Sequence, residues 1–420
     1  MKKILFIFLV ALSLFSCEKE TIVIPQRHAG RTVLAFFWAN NNLSDDLRKN
    51  ILNMMTGLQE MKDSATLLVY WDGYENSSEP NWKTPTILRY TTNGRGAINS
   101  YSKKEIEGMF SDSDVTLYDI VGIGIVEKSY NSQISTEKQV MQTVISDMIA
   151  CYPSENYGII FGSHGSGWLP TITGTRSIGV DGANTNTAVI PELAEVLHTV
   201  NPQKFDFVLF DACMMGCAEV YYELKDVTKY CIASVLDVPA LGFPYESLMP
   251  YFYADDLENQ LAFIGKTYID AYNNNGWGTV TAVDCSQMEG LAQVTRSMIW
   301  SNRDNLNNVN TANLQQYGRA GNSFRGYAYD MVQFAETLCG GEAPADFMEQ
   351  FNKTILYTDY TPNPTSSLYR IDGDNYCGMG MYIPNSSTTS KYSLWNSYFK
   401  ESIAWYHVSG WSDTETIWGN

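Results

Sequence analysis

Histidine is scarce in this chain, with four in 420 residues. One of them, His164, closes a run of strand-forming apolar residues in YGIIFGSHGSGW (157–168), between small residues and among glycines. An imidazole placed there is a structural loop residue, a metal ligand or a proton carrier. A second apolar run, in FDFVLFDACMMGCAEVYYEL (205–224), ends with Cys213 just beyond it, at the start of a predicted helix. If the two strands are neighbours, imidazole and thiol share one mouth of a sheet. A helix N-terminus and a nearby imidazole both favour thiolate, the reactive form of cysteine. Histidine, with an unperturbed pKa of about 6.5, can then protonate a leaving amine near neutral pH. Backbone N–H groups of Gly165 and Cys213 could face an oxyanion, and the missing side chain at Gly165 lets a carbonyl approach closely.

Other chemistry-bearing residues carry weaker signals. Cys217 follows Cys213 by one predicted helical turn and with His164 would make three metal ligands, but no fourth candidate has suitable spacing for structural zinc. It reads better as a buried small residue, and no metal site is assigned. His198 falls in an apolar helical pattern, His407 among aromatics and His28 near the N-terminus. Trp168 and Trp277 are candidate cleft-lining aromatics. Asp372-Gly373-Asp374-Asn375 has oxygen ligands but not the spacing of a calcium loop, and reads first as a turn.

The elements that must position the pair read as α/β. TVLAFFW (32–38), TLLVYWD (66–72), YGIIFGSH (157–164), FDFVLFD (205–211) and KYCIASV (229–235) are near-continuous apolar runs, as parallel strands covered on both faces should be. Residues 43–58, 135–152 and 189–200 have helical spacing between them. Ser44 and the hydroxyls of Ser135 and Thr136 are expected helix caps. Ligands in such sheets gather at the carboxyl ends of the strands, where His164 lies. Beyond about residue 245 the pattern loosens, although GTVTAVDCS (278–286) and CGMGMYIP (377–384) still read as strands. The polar stretches around 301–323 and 385–391 read as loops.

Residues 1–20, MKKILFIFLVALSLFSCEKE, have the layout of a secretory signal, too short and too early for a stable membrane span. Leu14-Phe15-Ser16-Cys17 resembles the lipobox of bacterial lipoproteins, which implies cleavage before Cys17 and lipid on it; the alternative is an ordinary secreted protein. Loss of residues 1–16 removes Lys2 and Lys3 from a chain whose formal charge is already −18. Nucleic acid is therefore excluded as a partner, since phosphate binding needs a basic surface. Of eight cysteines, seven remain once Cys17 is assigned to lipid, so at least one thiol is expected to be free. The expected division is a signal at 1–16, a tether at 17–30, a catalytic core at 31–250 and a C-terminal portion at 251–420 extending it.

Strand-His-Gly-Ser-Gly followed by strand-Asp-Ala-Cys resembles the clostripain-like cysteine peptidases, within the wider group of caspases, gingipains and legumain. TVLAFFWANNNLSDDL (32–47), LGFPYESL (241–248), GTVTAVDCS and GMGMYIP are similar to further family segments, so the resemblance spans about 31–384. It implies a caspase-like, mainly parallel sheet flanked by helices on both faces, with a C-terminal extension. It also implies a His164–Cys213 dyad, an oxyanion hole from the Gly165 and Cys213 amides, and Asp211 at the floor of an S1 pocket for Arg or Lys; a loop-orienting carboxylate is the alternative there. Ser234-Val235-Leu236-Asp237 departs from the family pattern of Ser followed by acidic residues, and leaves Asp237 as a candidate second pocket acid. Arg176, in the loop between the motifs, is a candidate self-cleavage site. No cofactor is required for the chemistry; calcium, used by some relatives, is left open. The expected protein is an endopeptidase of protein or peptide substrates, lipid-anchored in a bacterial cell envelope. A non-catalytic peptide-binding module and a cysteine acyltransferase or transpeptidase are the rival readings.

Overall fold

Val33, Ala35 and Phe37 are buried on one face of a strand, and Leu34, Phe36 and Trp38 on the other. That double burial explains why the run is apolar throughout rather than alternating. The computed structural model describes residues 28–419, apart from 77–82, 94–96, 112–123, 172–173, 176–177, 183–185, 275, 318–326, 362–370 and 388. Residues 1–16, Cys17 and Arg176 lie outside the described residues.

Nine strands form one sheet. They are β1 (His28–Phe37), β2 (Thr66–Trp71), β3 (Thr86–Thr91), β4 (Ile125–Ser129), β5 (Ser154–Gly162), β6 (Phe205–Asp211), β7 (Thr228–Ala233), β8 (Thr279–Asp284) and β9 (Ile355–Tyr360). Their order is β9-β8-β7-β6-β5-β1-β2-β3-β4. The central strands β2, β1, β5, β6 and β7 run parallel, and each edge adds two strands through antiparallel pairings, β3 then β4 on one side and β8 then β9 on the other. The chain leaves β1 towards β2 on one side and returns to β5 on the other. The switch in strand order therefore falls between β1 and β5, where an open α/β sheet has a crevice at its carboxyl edge.

Helices cover both faces, as expected. Ser44–Gln59, Tyr245–Phe252 and Leu257–Tyr272 pack on one; Lys138–Cys151, Ile190–Val200 and Met288–Ser301 pack on the other. Strand β1 begins at His28, inside the stretch read as tether, and β8 and β9 come from beyond residue 250.

Several local expectations fail for identifiable reasons. Ser44 is the first helical residue rather than a cap, and the preceding Leu43 N–H is satisfied by Asn41 Oδ1 at 2.9 Å. Ser135 lies before a helix that starts at Lys138; its hydroxyl bonds to Asp72 and Tyr70 instead. The 377–384 run contributes only Gly380–Met381 as strand, paired with Ala328–Asp330. Short 3-10 helices, Arg303–Asn308 and Thr311–Asn313, occupy part of the stretch read as loop.

Candidate active site

Gly162 and Asp211 are register partners at the carboxyl ends of the adjacent parallel strands β5 and β6. The pairing continues one step further, Ser163 N–H donating to Asp211 O at 3.3 Å. His164 and Cys213 each stand two residues past a member of that pair, so strand register alone carries both to the same rim. The backbones there touch closely: a Cβ added to Gly165 would lie 2.6 Å from Cys213 O, 3.1 Å from Cys213 N and 3.0 Å from the Ala212 Cβ. Only glycine permits that approach.

The histidine loop is fixed from two sides. Gly179 N–H donates to His164 O at 3.0 Å, and Val180 N–H donates to the buried Ser163 hydroxyl at 3.1 Å. Beyond β1, Asn41 Nδ2 donates to Trp38 O and to Val180 O, both at 2.8 Å, joining the β1 loop to the same segment. His164 Nε2 lies 2.7 Å from Asn42 Oδ1.

Cys213 does not open a helix, contrary to expectation; the helix after β6 starts at Ala218. Met214 N–H donates to Leu236 O and Gly216 N–H to Ser234 O, both at 2.8 Å. This strand-like pairing with the segment after β7 draws residues 214–216 away from helical geometry. Met214 adopts a left-handed φ of 59°, so the cysteine sits on a sharp turn held at a local cost of roughly 1–2 kcal/mol. One group placed to stabilise a thiolate is the Val238 N–H, 3.4 Å from Cys213 Sγ, and it belongs to a loop rather than to a helix terminus.

His164, Cys213, Asp211, Asp237, Pro239 and Trp277 line one cleft of about 270 Å³. Asp211 is buried, and its Oδ2 accepts from Tyr245 OH at 2.7 Å, Asn50 Nδ2 at 3.3 Å and Phe243 N–H at 3.4 Å. Burial pushes its carboxyl up to about 6, against the opposing pull of the Tyr245 and Phe243 bonds. These bonds also make Asp211 the anchor of the turn leading into Tyr245–Phe252. Asp237, also buried, lines the same cleft from the segment that carries Val238.

Other sequence candidates stand apart. Trp168 is core and not cleft: it is 1% exposed, with ring centroids 5.3 Å from both Tyr382 and Phe399. It ties the helix Ser390–Ser402 to the back of the histidine loop. Cys217 is buried against Tyr327 OH, and burial pushes its thiol up; all seven described cysteines are free. His198 and His407 are exposed on distant helices. The Asp372 carboxylate accepts from Asp374 N–H and Asn375 Nδ2 within its own turn. Among the described residues, no group of three or more His, Cys, Asp or Glu is arranged to hold a metal.

The sequence reading missed Val238, which acts through its backbone and so carries no residue-type signal. It also missed the roles of Asn42, Asn50 and Tyr245, whose partners lie more than thirty residues away. Only the run of three asparagines after β1 could have drawn notice.

The model of the clostripain family matches residues 35–418. Solved structures share the architecture. A secreted C11 cysteine protease from Bacteroides thetaiotaomicron, in complex with an irreversible peptide inhibitor, is 24% identical with a TM-score of 0.69, over 91% of this chain and 100% of that one. An inactive zymogen C11 protease from Parabacteroides distasonis is 23% identical with a TM-score of 0.70, over 92% of this chain and 99% of that one. At these identities the likeness concerns the fold. No curated protein matches the sequence.

Proposed function

The chain belongs to the clostripain family of cysteine peptidases, and from that premise we propose that it is an endopeptidase working through a Cys213–His164 dyad. The observation that carries this reading is the shared register of Gly162 and Asp211, with each reacting residue two positions beyond. Cys213 Sγ, its proton passed to His164, attacks the scissile carbonyl carbon. The amides of Gly165 and Cys213 hold the oxyanion. As the tetrahedral intermediate collapses, the C–N bond breaks and His164 protonates the departing amine. Water, deprotonated by His164, then cleaves the thioester and restores the thiol.

Asp211 and Asp237 make the cleft acidic where a P1 side chain would lie, which supports Arg or Lys at P1. A guanidinium suits this best, since it can address a carboxylate with two donors. The chemistry needs no cofactor, and the Asp372–Asn375 turn gives calcium no support.

The apolar run at 1–16 supports export, and Cys17 is the residue proposed to carry lipid, at the head of a tether to about residue 30. The core at 31–250 and the portion at 251–420 follow. Among the described residues, no helix is long and apolar enough to cross a membrane. Arg176 is proposed as a self-cleavage site; an active preparation that stays a single intact band on prolonged incubation would remove it.

A fluorogenic peptide library scanned at P1, with Cys213→Ala as control, tests the reading. Cleavage after Arg or Lys that disappears in the control is expected. Cleavage after other residues would discard the pocket assignment, and cleavage that persists in the control would discard the dyad.

A further inference from the structure

Three consecutive asparagines follow β1, and each does something different. Asn40 Nδ2 donates to Asp181 Oδ1 at 2.9 Å, and Asn40 O accepts from Gly182 N–H at 3.0 Å. The buried Asn41 bonds Trp38 O and Val180 O and receives the Leu43 N–H. These contacts anchor the loop on both sides of the third residue, whose Oδ1 lies 2.7 Å from His164 Nε2.

We propose that Asn42 is the positioning residue for His164: its amide oxygen receives the Nε2–H and leaves Nδ1 as the nitrogen that carries the proton between Cys213 and the leaving amine. The proposal rests on the dyad reading. An amide oxygen has no proton to give, so the hydrogen in this contact belongs to Nε2. A neutral imidazole has one N–H, and its basic lone pair is then on Nδ1. The same oxygen still accepts from Nε2–H once the ring is protonated, so the bond survives the whole proton transfer. A neutral amide steers the ring without adding the charge that would hold the imidazolium proton back from the leaving amine. Asn42 is exposed, so water competes for this bond until a bound substrate covers the cleft and strengthens it.

The test uses full-length Asn42→Ala and Asn42→Asp, with kcat, KM and the pH profile of kcat on an arginyl peptide, and melting temperature as a folding control. For Asn42→Ala, kcat is expected to fall about ten- to a hundredfold with KM little changed, as for a reacting group left misaligned. Asn42→Asp keeps the acceptor oxygen; it should recover most of that loss near neutral pH and move the histidine limb of the profile upward, because a carboxylate favours the imidazolium. A structural role would produce neither the recovery nor the moved limb. Wild-type kcat and pH profile in Asn42→Ala would overturn the proposal, as would Asn42→Asp behaving like Asn42→Ala. Should Asn42→Ala fail to fold, Asn42→Asp against wild type decides on the pH limb alone: an unmoved limb overturns. His164→Ala and Cys213→Ala separate the two readings. If either remains active the dyad itself falls, and if both are inactive while Asn42→Ala is unchanged, only the positioning role falls.

Discussion

A side chain on Gly165 would meet the backbone of Cys213, its Cβ 2.6 Å from the carbonyl oxygen. The two residues proposed to form the oxyanion hole are thus pressed together with no space for a methyl group. Gly165→Ala should force the loops apart and lower kcat/KM by on the order of a hundredfold. Steady-state kinetics with a melting curve checks this. A variant as active as wild type would show that the approach is not needed.

Asp211 gives a pH dependence whose sign can be worked out. Its carboxyl is raised to about 6 by burial, so the charge that would hold a cationic P1 is present above that value and lost below it. For arginyl substrates, kcat/KM should fall as pH drops through about 6, and Asp211→Asn should lower it and remove that limb. Profiles on arginyl and neutral P1 substrates, run side by side, would separate this limb from that of the dyad; identical limbs on both would exclude the assignment.

The same group affects stability in the opposite direction. A raised carboxyl stabilises the native state below the ordinary carboxylate range, and that contribution is lost as pH rises through about 6. Asp211→Asn should therefore gain on wild type between pH 5 and pH 8, by roughly 1–1.5 kcal/mol, since only about one pH unit of the shift lies in this window. Urea titrations at the two pH values read the difference, and a variant that loses ground on wild type as pH rises would contradict the sign.

Gly242 has a φ of +68°, and a Cβ there would come within 2.4 Å of Asp211 Oδ2. Gly242→Ala should cost about 1–3 kcal/mol from backbone conformation alone and disturb the carboxylate as well. Denaturation with P1 profiling tests both, and an alanine variant of unchanged stability would mean that the turn relaxes freely.

The central strands were legible because burial on both faces writes them as continuous apolar runs, and the candidate pair His164 and Cys213 because both runs end on chemically conspicuous residues. Strand register, which brings His164 and Cys213 together, has no local signature. The expected helix at Cys213 fails because its neighbours pair with the segment after β7, a long-range competition no propensity records. Ser135 looked like a cap for the same reason, its type being read without its distant partners Tyr70 and Asp72, whereas Ser44 missed the cap position by one residue. Trp168 looked like a cleft residue because it follows the histidine loop, yet the C-terminal helix Ser390–Ser402 buries it. Truncating it to alanine should cost about 3–5 kcal/mol, measurable by urea denaturation; a loss below 1 kcal/mol would mean that this helix does not brace the loop.

The most direct measurement is to treat the protein with an arginyl chloromethyl ketone peptide, locate the adduct by mass spectrometry and follow hydrolysis by Cys213→Ala alongside. A single adduct on Cys213, with no hydrolysis by the variant, is the expected result. An adduct on another of the seven described free thiols, together with hydrolysis that survives in Cys213→Ala, would contradict the assignment of Cys213 as nucleophile.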